Sequence, residues 1–206
     1  MRFGVRELVY IGLFGAIWAA LEITLGSYLH VLKVPFTGTV MTALGIAIAL
    51  VGRSFVPKRG SVLFIGVVTA LLKMFSLGGI VLNPMIGILA ESALAEIGLF
   101  ASGRPRWWTF TLAGALAVSW DFFHRFFTQA LLAGRGVLEI YRWTIEEGSR
   151  LLGIGETAAI VLIALLIAIR LVLGGIAGFS AWSLAAAVRR RTSEEIEVAW
   201  TEASSK

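Results

Sequence analysis

Glu22, Lys73, Glu91, Glu96, Asp121, His124, Arg125 and Arg170 interrupt long runs of Val, Leu, Ile, Ala, Phe and Gly. A charge near the middle of a membrane helix costs about 2.5–3.5 kcal/mol or more on insertion scales, so each needs a partner or a wet cavity. Groups of both signs on several apolar segments can line an internal polar site. They also suit structural ion pairs that only fix helix packing. The pattern is densest from Ser61 to Ala101, where Lys73, Glu91 and Glu96 lie on two apolar segments joined by the break from Gly78-Gly79 to Asn83-Pro84. Glu91 and Glu96 are five apart, about 140° around a helix, and cannot face one cavity. Glu91 is therefore assigned to the site and Glu96 to helix contact. Asp121 and Arg125, four apart, can pair on one face with His124 beside them. Arg170 suits a carboxylate partner as well as a ligand, and His30 reads as a solvated loop residue.

Other chemistries lack their residues. The chain has two His and no Cys, so neither a His-Glu-x-x-His metalloprotease helix nor a thiolate metal centre is available, and no metal is expected. Glu146-Glu147-x-x-Arg150 is one residue short of an intramembrane prenyl-protease signature and lacks its companion histidines. No Gly-x-Ser-x-Gly elbow and no P-loop occur. The chain reads as a non-enzyme without a cofactor of its own, and any ATP that drives it must bind another subunit. Trp18, Phe36, Trp120, Phe122 and Phe123 are placed to cover a flat ring, Trp120 best of all.

These side chains have to be positioned by apolar helices. The 206 residues are 58% hydrophobic, with a mean hydropathy of +0.86. Apolar runs of about 18–20 residues recur, the length that crosses about 30 Å of hydrocarbon as a helix. The expected fold is an all-α polytopic membrane protein, a single domain over 1–191 followed by a polar cytoplasmic tail over 192–206. Its six transmembrane helices are expected near 8–26, 39–56, 61–77, 83–101, 108–132 and 156–188. The segment 133–155 reads as a helix lying in the membrane interface, with Tyr141 and Trp143 at headgroup depth. Ten Lys and Arg fall in the tails and loops of one side and four on the other, which places both termini in the cytoplasm. That topology also accounts for the net charge of +5 without a nucleic-acid partner. Glu22, Lys73, Glu91, Asp121 and His124 then fall at compatible depths, and the loops 29–38 and 77–83 are expected to fold over the mouth.

Gly12, Ala16 and Ala20 place a small residue at every fourth position along one face of the first span, which lets another helix approach closely. With six spans, about 200 residues and polar groups in the outer half, the chain resembles the substrate-binding S component of energy-coupling factor (ECF) vitamin transporters. The nearest local likeness is to the S components for thiamine and its hydroxymethylpyrimidine precursor. It rests on Arg6-Glu7-Leu-Val, Gly87-Ile-Leu-Ala-Glu91 through Phe100-Ala101, and Ile169-Arg170-Leu-Val-Leu-Gly-Gly-Ile-Ala-Gly.

The resemblance implies a vitamin-capturing subunit whose first helix docks, through Gly12, Ala16 and Ala20, on a transmembrane coupling subunit carrying two ABC-type ATPases. Glu22, Lys73, Asn83, Glu91, Trp120, Asp121 and His124 would line the pocket. Lys73 departs from the thiamine group, where an acidic or neutral residue is expected, and so leaves an anionic or neutral vitamin open. The nickel and cobalt members need an N-terminal histidine motif that is absent here. Two other classes stay open: a membrane scaffold whose buried charges pair only with one another, and an autonomous ion-coupled carrier.

Overall fold

The computed structural model describes the backbone of residues 3–34, 36–75, 82–101, 105–134, 136–153 and 155–204. Among these residues the chain is all-helical and contains no strand. In order come α1 (Val5–Leu21), a π-helical turn (Glu22–Gly26), α2 (Ser27–Val31), α3 (Thr37–Phe55), α4 (Ser61–Lys73), α5 (Leu82–Phe100), α6 (Trp107–Ala133), α7 (Val137–Leu152) and α8 (Glu156–Ser204). Three helical stretches, Val5–Leu29, Thr37–Phe55 and Thr157–Arg189, are long and apolar enough to cross a membrane. Their outward faces carry large apolar side chains such as Val9, Leu13, Ile17, Leu165, Val172 and Ile176. Such a surface suits lipid rather than water as solvent.

The helices form a ring in the order α1, α4, α5, α6, α8, closed by α3, which touches all five of the others. Its central position is visible in its composition. Glycines and small hydroxyls (Gly38, Thr39, Thr42, Gly45, Ala49, Gly52) recur along α3 and leave room for larger neighbours. Trp18 of α1 is fully buried against Gly45, where an added Cβ would overlap the indole nitrogen. A rigid ring enclosed on all sides cannot yield cheaply. Gly45→Ala is expected to cost about 1–3 kcal/mol as overpacking, read as a lower melting temperature in detergent. The closest approach is between α6 and α8, where Gly114, Gly174 and Gly178 bring the two backbones into contact. This is the small-xxx-small packing that membrane helices use when no hydrophobic effect separates them from lipid.

Several boundaries differ from those expected. The first span does not end at Gly26: its π turn runs on into α2, so His30, read as a loop residue, lies within a helix. α4 stops at Lys73 rather than continuing to Leu77, and residues 76–81, with the Gly78-Gly79 break and most of the loop expected at 77–83, lie outside the described residues, while 82 and 83 already belong to α5. The 13 residues of α4 rise only about 20 Å. α8 continues through the polar segment to Ser204. No Gly or Pro occurs after Gly178 to stop it, and Arg190 and Arg191 stand four residues before Glu194 and Glu195. α7 is a helix, as expected for the long connection, and packs on α6 and α8.

Polar groups gather at two opposite levels of this bundle. One holds Glu96, which is 3% exposed. Its carboxylate accepts hydrogen bonds from the backbone N–H of Gly60 (2.6 Å) and of Val62 (3.0 Å). Glu96 thus caps the start of α4 from a different helix, satisfying donors that a helix N-terminus leaves unpaired. Arg53 lies 3.7 Å from the same carboxylate and donates to Ser61 Oγ (3.1 Å). Nearby, Lys58 pairs with Glu7 at 2.7 Å. These contacts tie the α3–α4 junction to α1 and α5.

Candidate functional site

The second polar level is built by six elements. The π turn at the end of α1 carries Glu22, and the last residue of α4 is Lys73. Lys73 Nζ donates to the Glu22 backbone carbonyl (2.9 Å) and lies 3.3 Å from Glu22 Oε2. π turns inside α-helices recur at functional sites because they disturb the regular bonding ladder. Here the disturbed carbonyl and the carboxylate of one residue share one ammonium. The first described neighbour of Lys73 is therefore a carboxylate of the first helix, not Glu91 on the adjacent α5.

α3 supplies two hydroxyls, one turn apart. Thr39 Oγ1 donates to Asp121 Oδ2 on α6 (2.8 Å), and Thr42 Oγ1 donates to Glu91 Oε1 on α5 (2.8 Å). Asp121 also sits close over the backbone of Gly38, where a Cβ would fall 2.5 Å from Oδ1. From α8, Arg170 Nε approaches Asp121 Oδ2 at 3.6 Å, and its Nη1 donates to the Leu166 carbonyl (3.2 Å). The guanidinium lies over the rings of Phe36 (5.8 Å) and Phe122 (5.5 Å), an arrangement that favours a cation. Phe36 holds that position with a left-handed backbone, φ 60°. That is an outlier for a bulky residue, and it brings the connection before α3 over the Arg170 side chain. The Asp121 carboxylate thus finds its partners on α3 and α8, whereas the sequence had offered Arg125 on its own helix. The side chain of Arg125 lies outside the described residues.

Glu91 is 7% exposed and lies within electrostatic range of both Glu22 and Asp121. It borders Gly87, one turn back on α5. From a Cβ built at Gly87, Glu91 Oε1 would stand 3.7 Å away and His124 Nε2 3.5 Å away. Gly87 thus stands between a carboxylate and an imidazole, with room for a single carbon at ordinary contact distance from both. Trp120 follows on α6, its ring 6.3 Å from that of His124, and its buried indole N–H has no acceptor.

No protein-family model, curated protein or solved structure matches this chain. The residues themselves carry the reading.

Of the expected lining residues, Glu22 and Lys73 meet directly, Glu91 lies within electrostatic range of Glu22, and His124 stands beside Gly87 with the Trp120 ring next to it. Asp121 joins through Thr39 and Arg170. Asn83 is exposed in the first turn of α5, four residues before Gly87, and makes no ion pair with the group. Thr39, Thr42 and Gly87 were not foreseen. Their signal in the sequence is faint: hydroxyls three apart among glycines on one helix face, and a glycine one turn from a buried acid. Gly12 is half-buried, and Ala16 and Ala20 are exposed on the outer face of α1, with open space beside Gly12. They stand apart from the polar group. Among the described residues no cluster of three or more His, Cys, Asp or Glu is arranged to hold a metal ion.

Fixed hydrogen-bonding groups lie beside aromatic faces at this level, a mixture that small-molecule sites commonly use.

Proposed function

We propose that this chain is the substrate-capture subunit of an ATP-driven importer of the energy-coupling factor type. It takes a small water-soluble vitamin or precursor from outside, with thiamine or hydroxymethylpyrimidine as the first candidates. In this reading α1, α3, α4, α5, α6 and α8 all cross the cell membrane, both termini lie in the cytoplasm, and α7 lies in the opposite interface. The single observation that carries it is convergence. Charged side chains from the α1 π turn, α4, α5, α6 and α8 meet at one level of an otherwise apolar bundle. Ionisable groups at membrane depth mark substrate pathways when they face a shared interior. Isothermal titration of the purified chain with a panel of B vitamins tests the reading. Saturable binding of at least one member is the expected result, and heat from none of them would remove its basis.

The ATPases and the coupling subunit belong to the same proposal. An outward row of Gly12, Ala16 and Ala20 gives a coupling helix a flat surface to approach. Ala16→Trp and Ala20→Trp are expected to abolish uptake in cells while leaving vitamin binding to the purified protein unchanged. Normal uptake by both variants would move the docking face elsewhere.

A further inference from the structure

At the end of the bundle opposite the candidate site, positive charge outnumbers the carboxylates. Glu7 and Glu96 are already held there by Lys58 and Arg53. Arg6 in the first turn of α1, Arg59 in the α3–α4 connection and Arg106 just before α6 are all exposed. None of the three lies within ion-pair distance of a carboxylate among the described residues. The side chains not described at this end keep the sign of the count. Arg2, Arg104, Arg190 and Arg191 are basic, and Glu194 and Glu195 follow one turn beyond the last two on the α8 extension. Toward the other end, by contrast, Lys73, Arg150 and Arg170 each meet a carboxylate. Two of the three surplus cations also lie against aromatic rings. The Arg59 guanidinium stands 5.4 Å from the centre of the Phe100 ring, and that of Arg6 stands 5.7 Å from the centre of Tyr10. A guanidinium over a ring keeps its planar fork of N–H donors available at the edge, the geometry that pairs with phosphate.

We infer that this end of the bundle is a docking surface for anionic phospholipids, whose headgroup phosphates supply the counter-ions of Arg6, Arg59 and Arg106. The surroundings of the cations favour a lipid over a soluble anion. Toward the middle of the bundle from Arg59, the exposed side chains of Phe100 and Ile97 form an apolar row on α5. Val9 and Leu13 do the same on α1 below Arg6, three and seven residues on along one helix face. A phosphate meets the guanidinium while the acyl chains cover the row beneath it. Clustered arginines at the membrane surface attract anionic lipid in this way. The inference needs a membrane around the helices and does not depend on vitamin capture.

Native mass spectrometry of the purified full chain tests this, by titration with phosphatidylglycerol and with phosphatidylcholine of the same acyl chains. Phosphatidylglycerol is expected to be retained at least about tenfold more tightly, with retention falling as salt rises. Each arginine near an anionic surface contributes about fivefold, so Arg6→Gln, Arg59→Gln and Arg106→Gln combined should weaken retention on the order of a hundredfold. Lys33→Gln, which removes a charge at the other end, should leave it unchanged. Equal retention of the two lipids overturns the inference, and so does a triple variant that holds phosphatidylglycerol as the wild type does. A loss in Lys33→Gln as large as that in the triple variant contradicts the placement. Displacement of the lipid by millimolar inorganic phosphate would show a site for a soluble anion and overturn the lipid assignment. The wild-type ranking of the two lipids decides the matter even where the triple variant folds poorly.

Discussion

Replacing Glu96 by alanine is expected to destabilise the protein by about 3–5 kcal/mol, the range for removing one partner of a buried ion pair. The truncation would strand the Arg53 guanidinium in a site where it is almost wholly buried. It would also leave the Gly60 and Val62 N–H groups without acceptors at the start of α4. Both losses act on the same junction of α3, α4 and α5. Glu96→Gln keeps the shape and one carbonyl acceptor but not the charge, so it should fall between wild type and Glu96→Ala. In a chain of this size the alanine variant should melt on the order of 10 °C lower, read by light scattering or tryptophan fluorescence in detergent. A variant that melts with the wild type would show that Glu96 does not hold the bundle together.

Lys73→Met should have a comparable effect at the opposite level, for a different reason. Removing the ammonium leaves the Glu22 carboxylate and carbonyl without their donor, and among the described residues Glu22, Glu91 and Asp121 are then left with Arg170 as the cation paired at this level. A loss of about 3–5 kcal/mol is expected for the single change. The double variant Glu22→Gln/Lys73→Met should recover most of it, because deleting both members of a buried pair removes the stranded charge. The double-mutant cycle isolates the coupling from the packing contribution of the lysine stem. Additive losses would mean that Glu22 and Lys73 do not act as a pair.

The all-helical fold was legible because the apolar runs are long and the connectors carry Gly and Pro at their breaks. The ends were less legible. Nothing in the local sequence of Glu22–Gly26 announces a π turn, since that geometry is held by Lys73, which lies 51 residues further along the chain. The segment after Arg191 was read from its polarity as a tail beyond the last helix, although it contains no breaker and continues α8. Charge type and depth grouped Glu22, Lys73, Glu91 and Asp121 from the sequence, but their pairing depended on which helices are adjacent in the ring. Asp121 has Arg125 one turn away in sequence, whose side chain lies outside the described residues, and is met by Arg170 from α8, because α6 and α8 lie backbone to backbone at Gly114, Gly174 and Gly178. Thr39 and Thr42 were invisible as site residues because a hydroxyl in an apolar helix usually bonds its own carbonyl ladder, as Thr24 and Thr111 do here.

The central claim is that these side chains face one water-filled chamber open to the outside, and not a set of sealed ion pairs. The natural absence of cysteine gives a clean background for testing it. Gly87→Cys and Ser92→Cys place single thiols on α5, the first between Glu91 and His124, the second buried where the Ser92 side chain packs on Gly66 of α4. Intact cells are treated with a membrane-impermeant, positively charged methanethiosulfonate reagent, and labelling is read on the isolated protein. Rapid labelling of Cys at position 87, slowed by a saturating bound vitamin, with position 92 left unlabelled, is the predicted result. Equal protection of both positions, with or without ligand, would contradict the account.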